Sequence, residues 1–284
     1  MLDRRVALIT GCGKPDGAGR AIAARLVEDG FAVVVTDRAP QGVPNAGEQA
    51  RSGGAGIADY AAEVEASGGT ALALTGDIGD PGDVERMVGE ALARFGRIDV
   101  LVNNAAAPQG PDRVDIADVP FDAWNEILRV NLTGVFLMSQ AVIGPMREQR
   151  YGRIVNISSM AGIDAAPRST AYSASKAGVL GFTRALAMDV ARWGITVNAI
   201  CPGLVSTSRS MLGRRDADRD EAMRTIGGRI AVGKVGRPHD VANAVAFFAD
   251  ERTDHITAQE LPLDGGGLSA FPLAGPDDAA APAR

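Results

Sequence analysis

Short runs of consecutive apolar residues alternate along this chain with longer segments whose apolar positions recur every three or four residues. The first kind are read as buried strands: Val6 to Thr10, Phe31 to Asp37, Thr70 to Ile78, Asp99 to Asn103, Arg153 to Ser158, Ile195 to Ile200 and Glu260 to Asp264. The second kind are read as helices: Arg20 to Asp29 with Gly30 as its stop, Ala58 to Ser67, a helix opened by Asp80-Pro81 and closed by Gly96, and Asp240 to Asp250. Two longer helices are expected, Phe121 to Ile143 ended by Gly144-Pro145, and Tyr172 to Trp193. Strands that alternate with helices imply an α/β fold. Its sheet is parallel and doubly wound, with right-handed crossovers and helices on both faces.

Three segments break the rhythm. Residues 38–56 are rich in Gly and Pro and are expected to form a loop insertion. Residues 206–235 are polar and predict a solvated surface helix. The Ala/Pro/Asp tail at 272–284 has nothing to bury and is expected to be disordered, which leaves one domain over 1–271.

Two motifs carry chemistry. Thr10-Gly11-Cys-Gly-Lys-Pro-Asp-Gly17-Ala18-Gly19 lies between the first strand and the first helix. Glycines there let the backbone approach a pyrophosphate, and the helix N-terminus offers free N–H groups and a positive dipole end. The second strand ends in Asp37, where an acid can bond the ribose hydroxyls of a dinucleotide. The other motif is Tyr172-x-x-x-Lys176, with Ser159 thirteen residues before the tyrosine. In a helix, Tyr172 and Lys176 share one face. An ammonium held near a phenol favours the phenolate, so the pair is a candidate general acid and base near neutral pH. Tyr-x-x-x-Lys is common by chance, and its context has to decide.

That context resembles the short-chain dehydrogenase/reductase family over roughly residues 5–268. The motifs stand in the family's order. Gly11, Gly17, Ala18 and Gly19 resemble its cofactor loop, Asp77-Ile78 its adenine contact, and Asn103-Asn104-Ala105-Ala106 its Asn-Asn-Ala-Gly strand end. Pro202-Gly203 with Val205 and Thr207 is similar to the segment that holds the nicotinamide carboxamide, and about 204–235 matches in position the family's substrate-covering segment. The resemblance implies a single-domain Rossmann-type fold and a catalytic set of Asn131, Ser159, Tyr172 and Lys176. Tyr172 would exchange the proton and Lys176 would bond the nicotinamide ribose. Ser159 would hold the substrate oxygen, and Asn131 a water leading to Lys176. It also implies a homo-oligomer, a tetramer, built on the two long helices. One departure is plain. Five residues separate Gly11 from Gly17 where the family has three, so a longer phosphate loop is expected.

The function expected from this is hydride transfer between NAD(H) and a small-molecule secondary alcohol or ketone. Asp37 would repel a 2′-phosphate, which makes NADP less favoured, although Lys14 and Arg38 argue the other way. An NADPH-dependent carbonyl or 3-oxoacyl reductase is the alternative. A non-catalytic NAD-binding regulator is the alternative of another class, and the intact catalytic set weighs against it.

Composition narrows the partners. A net charge of −6 gives no electrostatic case for nucleic acid or an anionic membrane. No run of eighteen apolar residues suggests a membrane span. The chain enters a strand at once, so no signal peptide is expected. Cys12 and Cys201 are isolated, which fits a reducing, cytoplasmic setting. His239 and His255 are the only histidines and lie in no metal motif, so no metal site is expected.

Overall fold

A computed structural model describes residues 4–45, 56–108, 110–164, 167–211 and 216–267. The expected disorder of the tail falls outside them, as does most of the 38–56 insertion. Seven parallel strands form one sheet in the order β3-β2-β1-β4-β5-β6-β7. They are β1 (Val6–Thr10), β2 (Ala32–Asp37), β3 (Ala71–Thr75), β4 (Val100–Asn103), β5 (Gly152–Ile157), β6 (Ile195–Pro202) and β7 (Glu260–Leu263). Their side chains are apolar on both faces because both faces are covered. In β1, Val6 and Leu8 belong to one core layer, Ala7 and Ile9 to the other.

The helices follow from the same pattern. α1 (Ala18–Glu28), α2 (Ile57–Ala66) and α8 (Pro238–Ala249) cover one face. The other face is covered by α3 (Pro81–Phe95), α4 (Phe121–Leu128), α5 (Gly134–Gln149) and α6 (Thr170–Val190). α3 begins as its sequence demands: Asp80 caps it by accepting from Asp83 N–H, and Gly96 ends it in the left-handed region at φ 75°. α7 (Asp216–Gly227) lies in the polar segment, where a surface helix was expected.

The first long helix departs from expectation twice. It does not stop at Gly144-Pro145 but runs to Gln149. Pro145 forfeits one intrahelical bond, yet the turn beyond it is anchored. Met146 is fully buried, and the Gln149 amide both donates to Ile98 O at 3.0 Å and accepts from Ile98 N–H at 3.3 Å. Nor is the helix continuous, because a π-turn at Arg129–Thr133 separates α4 from α5. The 121–149 stretch is long and apolar enough to cross a membrane by composition. Half of its most apolar window is buried inside the molecule, where it forms the layer over β4 and β5.

Chain order reverses between β1 and β4, so the crevice at their carboxyl ends is the switch point where such sheets bind ligands. A buried polar chain ties this edge of the sheet to α6. Asn103 donates to Asn156 Oδ1 at 2.8 Å, Asn156 Nδ2 donates to Thr183 Oγ1 at 2.9 Å, and Thr183 donates to Val179 O at 2.8 Å. Breaking it strands buried partners, which costs about 1–3 kcal/mol. Asn156→Ala is therefore expected to lower unfolding free energy by about that amount. Urea titration checks this, and an unchanged midpoint would refute it.

Candidate active site

A cavity of about 700 Å³ opens along the carboxyl ends of the strands, from Asp37 at one end to Arg113 and Arg209 at the other. Of the residues singled out from sequence, all but Gly19 and Asn131 line it. Those two support it from behind.

At the β1–α1 turn, Gly11 has φ +77°, and a Cβ on it would lie 2.8 Å from Ala105 Cα. A Cβ on Gly19 would lie 2.3 Å from Gly11 O, which explains why α1 can approach β1 so closely. Gly17 is the N-cap of α1 and has no side chain to satisfy the first-turn N–H groups. The Asn104 side chain fastens the two strand ends, donating to Thr10 O at 2.8 Å and Gly11 O at 3.1 Å. Thr10 Oγ1 accepts from the N–H groups of Asn104 and Ala105.

The longer phosphate loop has a definite path. Gly13 N–H donates to Asp37 Oδ2 at 2.8 Å, and a Cβ on Gly13 would collide with Gly42. The extra residues thus fold back onto the end of β2 and the start of the 38–56 insertion. Burial pushes the Asp37 carboxyl above its ordinary range, opposed by the Gly13, Ala39 and Arg38 amides. Arg38 turns away from Asp37 and pairs with Glu126 at 3.0 Å and Asp77 at 3.7 Å. Asp77, placed at the adenine end by sequence, has its carboxylate bonded by Arg129 at 2.8 Å and by Gly79 N–H. Despite the desolvation of its site, the Arg129 bond keeps its carboxyl below the usual range.

At the other end, α6 begins at Thr170, two residues earlier than expected, and holds Tyr172 in its first turn. Lys176 lies one turn on, its Nζ 5.8 Å from the Tyr172 ring centroid and bonded to Ile157 O at 2.8 Å. Complete burial, with Arg209 adding repulsion, drives the Lys176 ammonium down to about 7. Ser159, just past β5, accepts from Ala161 N–H at 3.1 Å and keeps its own proton available. Asn131 is fully buried within the π-turn, accepting from Ala107 N–H and donating to Ser175 Oγ. A π-turn displaces a carbonyl from the helical ladder. It carries no residue signature, so sequence reading missed it.

Three further residues were also missed. Asp16 clasps the covering segment to the phosphate loop, accepting from Ser208 N–H at 2.8 Å and Ser208 Oγ at 3.2 Å. Arg113 and Arg209 line the Tyr172 end. Each comes from a loop whose path only the fold defines.

The comparisons agree with this architecture. The family model described as short chain dehydrogenase matches residues 5–218. The chain belongs to the short-chain dehydrogenase family. It is 38% identical over 265 residues to a hydroxy(phenyl)methylsuccinyl-CoA dehydrogenase subunit of Thauera aromatica, covering 93% of this chain and 97% of that one. It is 34% identical over 262 residues to a 3-oxoacyl-(acyl-carrier-protein) reductase of Salmonella typhimurium, covering 92% and 96%. The crystal structure of levodione reductase superposes with a TM-score of 0.82 at 32% identity, over 94% of this chain and 98% of that one. The chain is thus an oxidoreductase of a family that binds a nicotinamide cofactor.

The buried Lys176 sets a pH dependence. Its pKa falls from an ordinary 10.5 to about 7, so between those values the unfolded chain holds the extra proton. Stability therefore rises with pH across that window, and the penalty is complete below it. Lys176→Met removes a buried cation, worth several kcal/mol, against one lost hydrogen bond of about 1 kcal/mol. The variant without ligand is expected to melt several degrees above wild type at pH 6, with the gap closing toward pH 10. Calorimetry at both pH values checks this, and a gap that widens with pH would contradict it.

Proposed function

We propose that this protein is an NAD-dependent dehydrogenase that interconverts a secondary alcohol and its ketone. The observation that carries the reading is one cavity with Asp37 at one end and Tyr172, Lys176 and Ser159 at the other. The residues fit a dinucleotide. Glycines stand where any Cβ would close the cradle, and the α1 N-terminus faces the place of the pyrophosphate. Gly11, Gly17, Ala18 and Gly19 would hold that group. Asp77, Ile78, Asn104 and Ala105 would border the adenosine, and Pro202, Gly203, Val205 and Thr207 the nicotinamide. A nicotinamide bound there supplies or accepts the hydride.

The protein's own residues manage the oxygen. Ser159 Oγ donates to the substrate oxygen and Tyr172 exchanges its proton. Lys176, poised near neutrality, sits beside the tyrosine in the charged or the neutral form, according to which way the proton moves. Asn131, immobilised by Ala107 and Ser175, fixes the π-turn behind this pair. Asp37 supports NAD. Its carboxylate would repel a 2′-phosphate, and Arg38, the adjacent cation, is engaged by Glu126 and Asp77. The second reading is an NADPH-dependent carbonyl or 3-oxoacyl reductase; the name of the Salmonella relative favours its 3-oxoacyl reductase part.

Assembly and setting belong to the same proposal. Phe121 and Phe136 are exposed on the first long helix, and Phe136 meets Phe182 of α6 edge-on at 6.4 Å. This apolar face supports a homotetramer packed through α4–α5 and α6. Both cysteines are buried and unpaired, which supports a cytoplasmic location.

Tyr172→Phe is expected to cut turnover by about 10²–10⁴-fold while NADH binding persists. Steady-state rates with fluorescence titration of NADH check this, and near-normal turnover would sink the mechanism. Asp37→Ser is expected to shrink the NAD-over-NADP ratio of kcat/KM by about tenfold or more, equivalent to roughly 1.4 kcal/mol. The Gly13 bond is lost for both cofactors alike, so the ratio isolates the charge. A wild type that prefers NADP, or an unmoved ratio, would overturn the role given to Asp37.

A further inference from the structure

The Tyr172 end of the cavity holds more positive charge than proton exchange requires. Lys176 is one cation. Arg113 is a second, its Cζ 5.1 Å from the Tyr172 ring centroid. Its Nη1 donates to Ser169 Oγ at 2.9 Å, while its Nε is buried without a hydrogen bond. Asp112, fully buried, pairs with that Nε at 3.7 Å without a hydrogen bond and also acts on Arg209, so one carboxylate faces the two guanidiniums. Arg209 is the third cation. It reaches in from the segment after Thr207 and is held by Ala106 O at 3.2 Å and Ala107 O at 2.7 Å. Burial, compounded by Arg113, holds its guanidinium below the usual range.

Like charges gathered in a cavity with apolar walls repel one another and lose hydration. The fold does not need them there. Ala106 and Ala107 carbonyls can be satisfied by a neutral donor, and Ser169 by water. An anion between the two guanidiniums offsets the repulsion and accepts charge-assisted bonds from them. The cofactor pyrophosphate belongs at the α1 N-terminus, whereas Arg113 lies over the Tyr172 ring. We propose that Arg113 and Arg209 form a carboxylate subsite, and that the substrate is an oxo or hydroxy acid whose carboxylate lies close to the reacting carbon. This rests on Tyr172 as the proton-exchanging group.

The test compares 3-oxobutanoate with its methyl ester, using NADH or NADPH, in wild type, Arg113→Met and Arg209→Met. Wild type is expected to favour the acid in kcat/KM by about tenfold or more, with the gain mostly in KM. Each variant is expected to reduce that acid-over-ester ratio by roughly 10–10²-fold. Equal use of acid and ester by wild type would overturn the proposal. So would variants that slow both substrates alike, which is the mark of a merely structural role. A second arm needs no turnover: calorimetric binding of malonate to the NADH-loaded protein. Binding that Arg113→Met abolishes, with NADH affinity kept, supports the subsite. Absent binding overturns it, and a loss of NADH affinity would reassign the arginines to the cofactor phosphates. If neither oxo compound is turned over, the malonate arm alone decides the subsite, and the absence of Tyr172-dependent turnover of other ketones is what would sink the dehydrogenase reading.

Discussion

The closure between the ends of β1 and β4 is the constraint on which the site depends. A doubly wound sheet must part its crossovers there, one set of helices going to each face. Left open, the parting would expose backbone groups of both strands. Asn104 and the Thr10 hydroxyl bridge it with four hydrogen bonds. Gly11 and Gly19 admit α1 to within contact of the bridge. A crevice with rigid walls and a helix N-terminus at its base results, and every residue of the candidate site hangs from those walls.

The site's charges are arranged at a cost to the fold. Lys176 is a completely buried cation with one carbonyl for a partner, and Arg209 lies close enough to repel it. At the opposite end, burial works against the Asp37 carboxylate, and three backbone amides offset only part of that. Between these ends the lining is mostly uncharged glycine, alanine and small polar residues. That stretch separates the Asp37 carboxylate from the Tyr172–Lys176 pair.

The supporting contacts come from far along the chain. Asp16 binds Ser208, Asn131 binds Ala107 and Ser175, and Asn103 reaches α6 through Asn156 and Thr183. These ties join the phosphate loop, the π-turn and the helix of Tyr172 into one body. Their members are ordinary Asp, Ser, Asn and Thr residues whose types do not reveal a partner.

Period and punctuation in the sequence determined the alternation of strands and helices, hence the parallel doubly wound sheet. The glycine turn before α1, Asp37 at the end of β2 and the Tyr172–Lys176 pair on one helical face were legible there too, because each depends on local spacing. Local rules failed where packing outweighed them. Pro145 did not end its helix, since Met146 and Gln149 are anchored against the sheet. The π-turn at Asn131, the fold-back of the long phosphate loop onto Asp37, the diversion of Arg38 to Glu126 and Asp77, and the convergence of Arg113 and Arg209 on Tyr172 were decided only by tertiary structure. Each joins residues far apart in the chain, and the free energy that selects such a contact exists only once the sheet has brought them together.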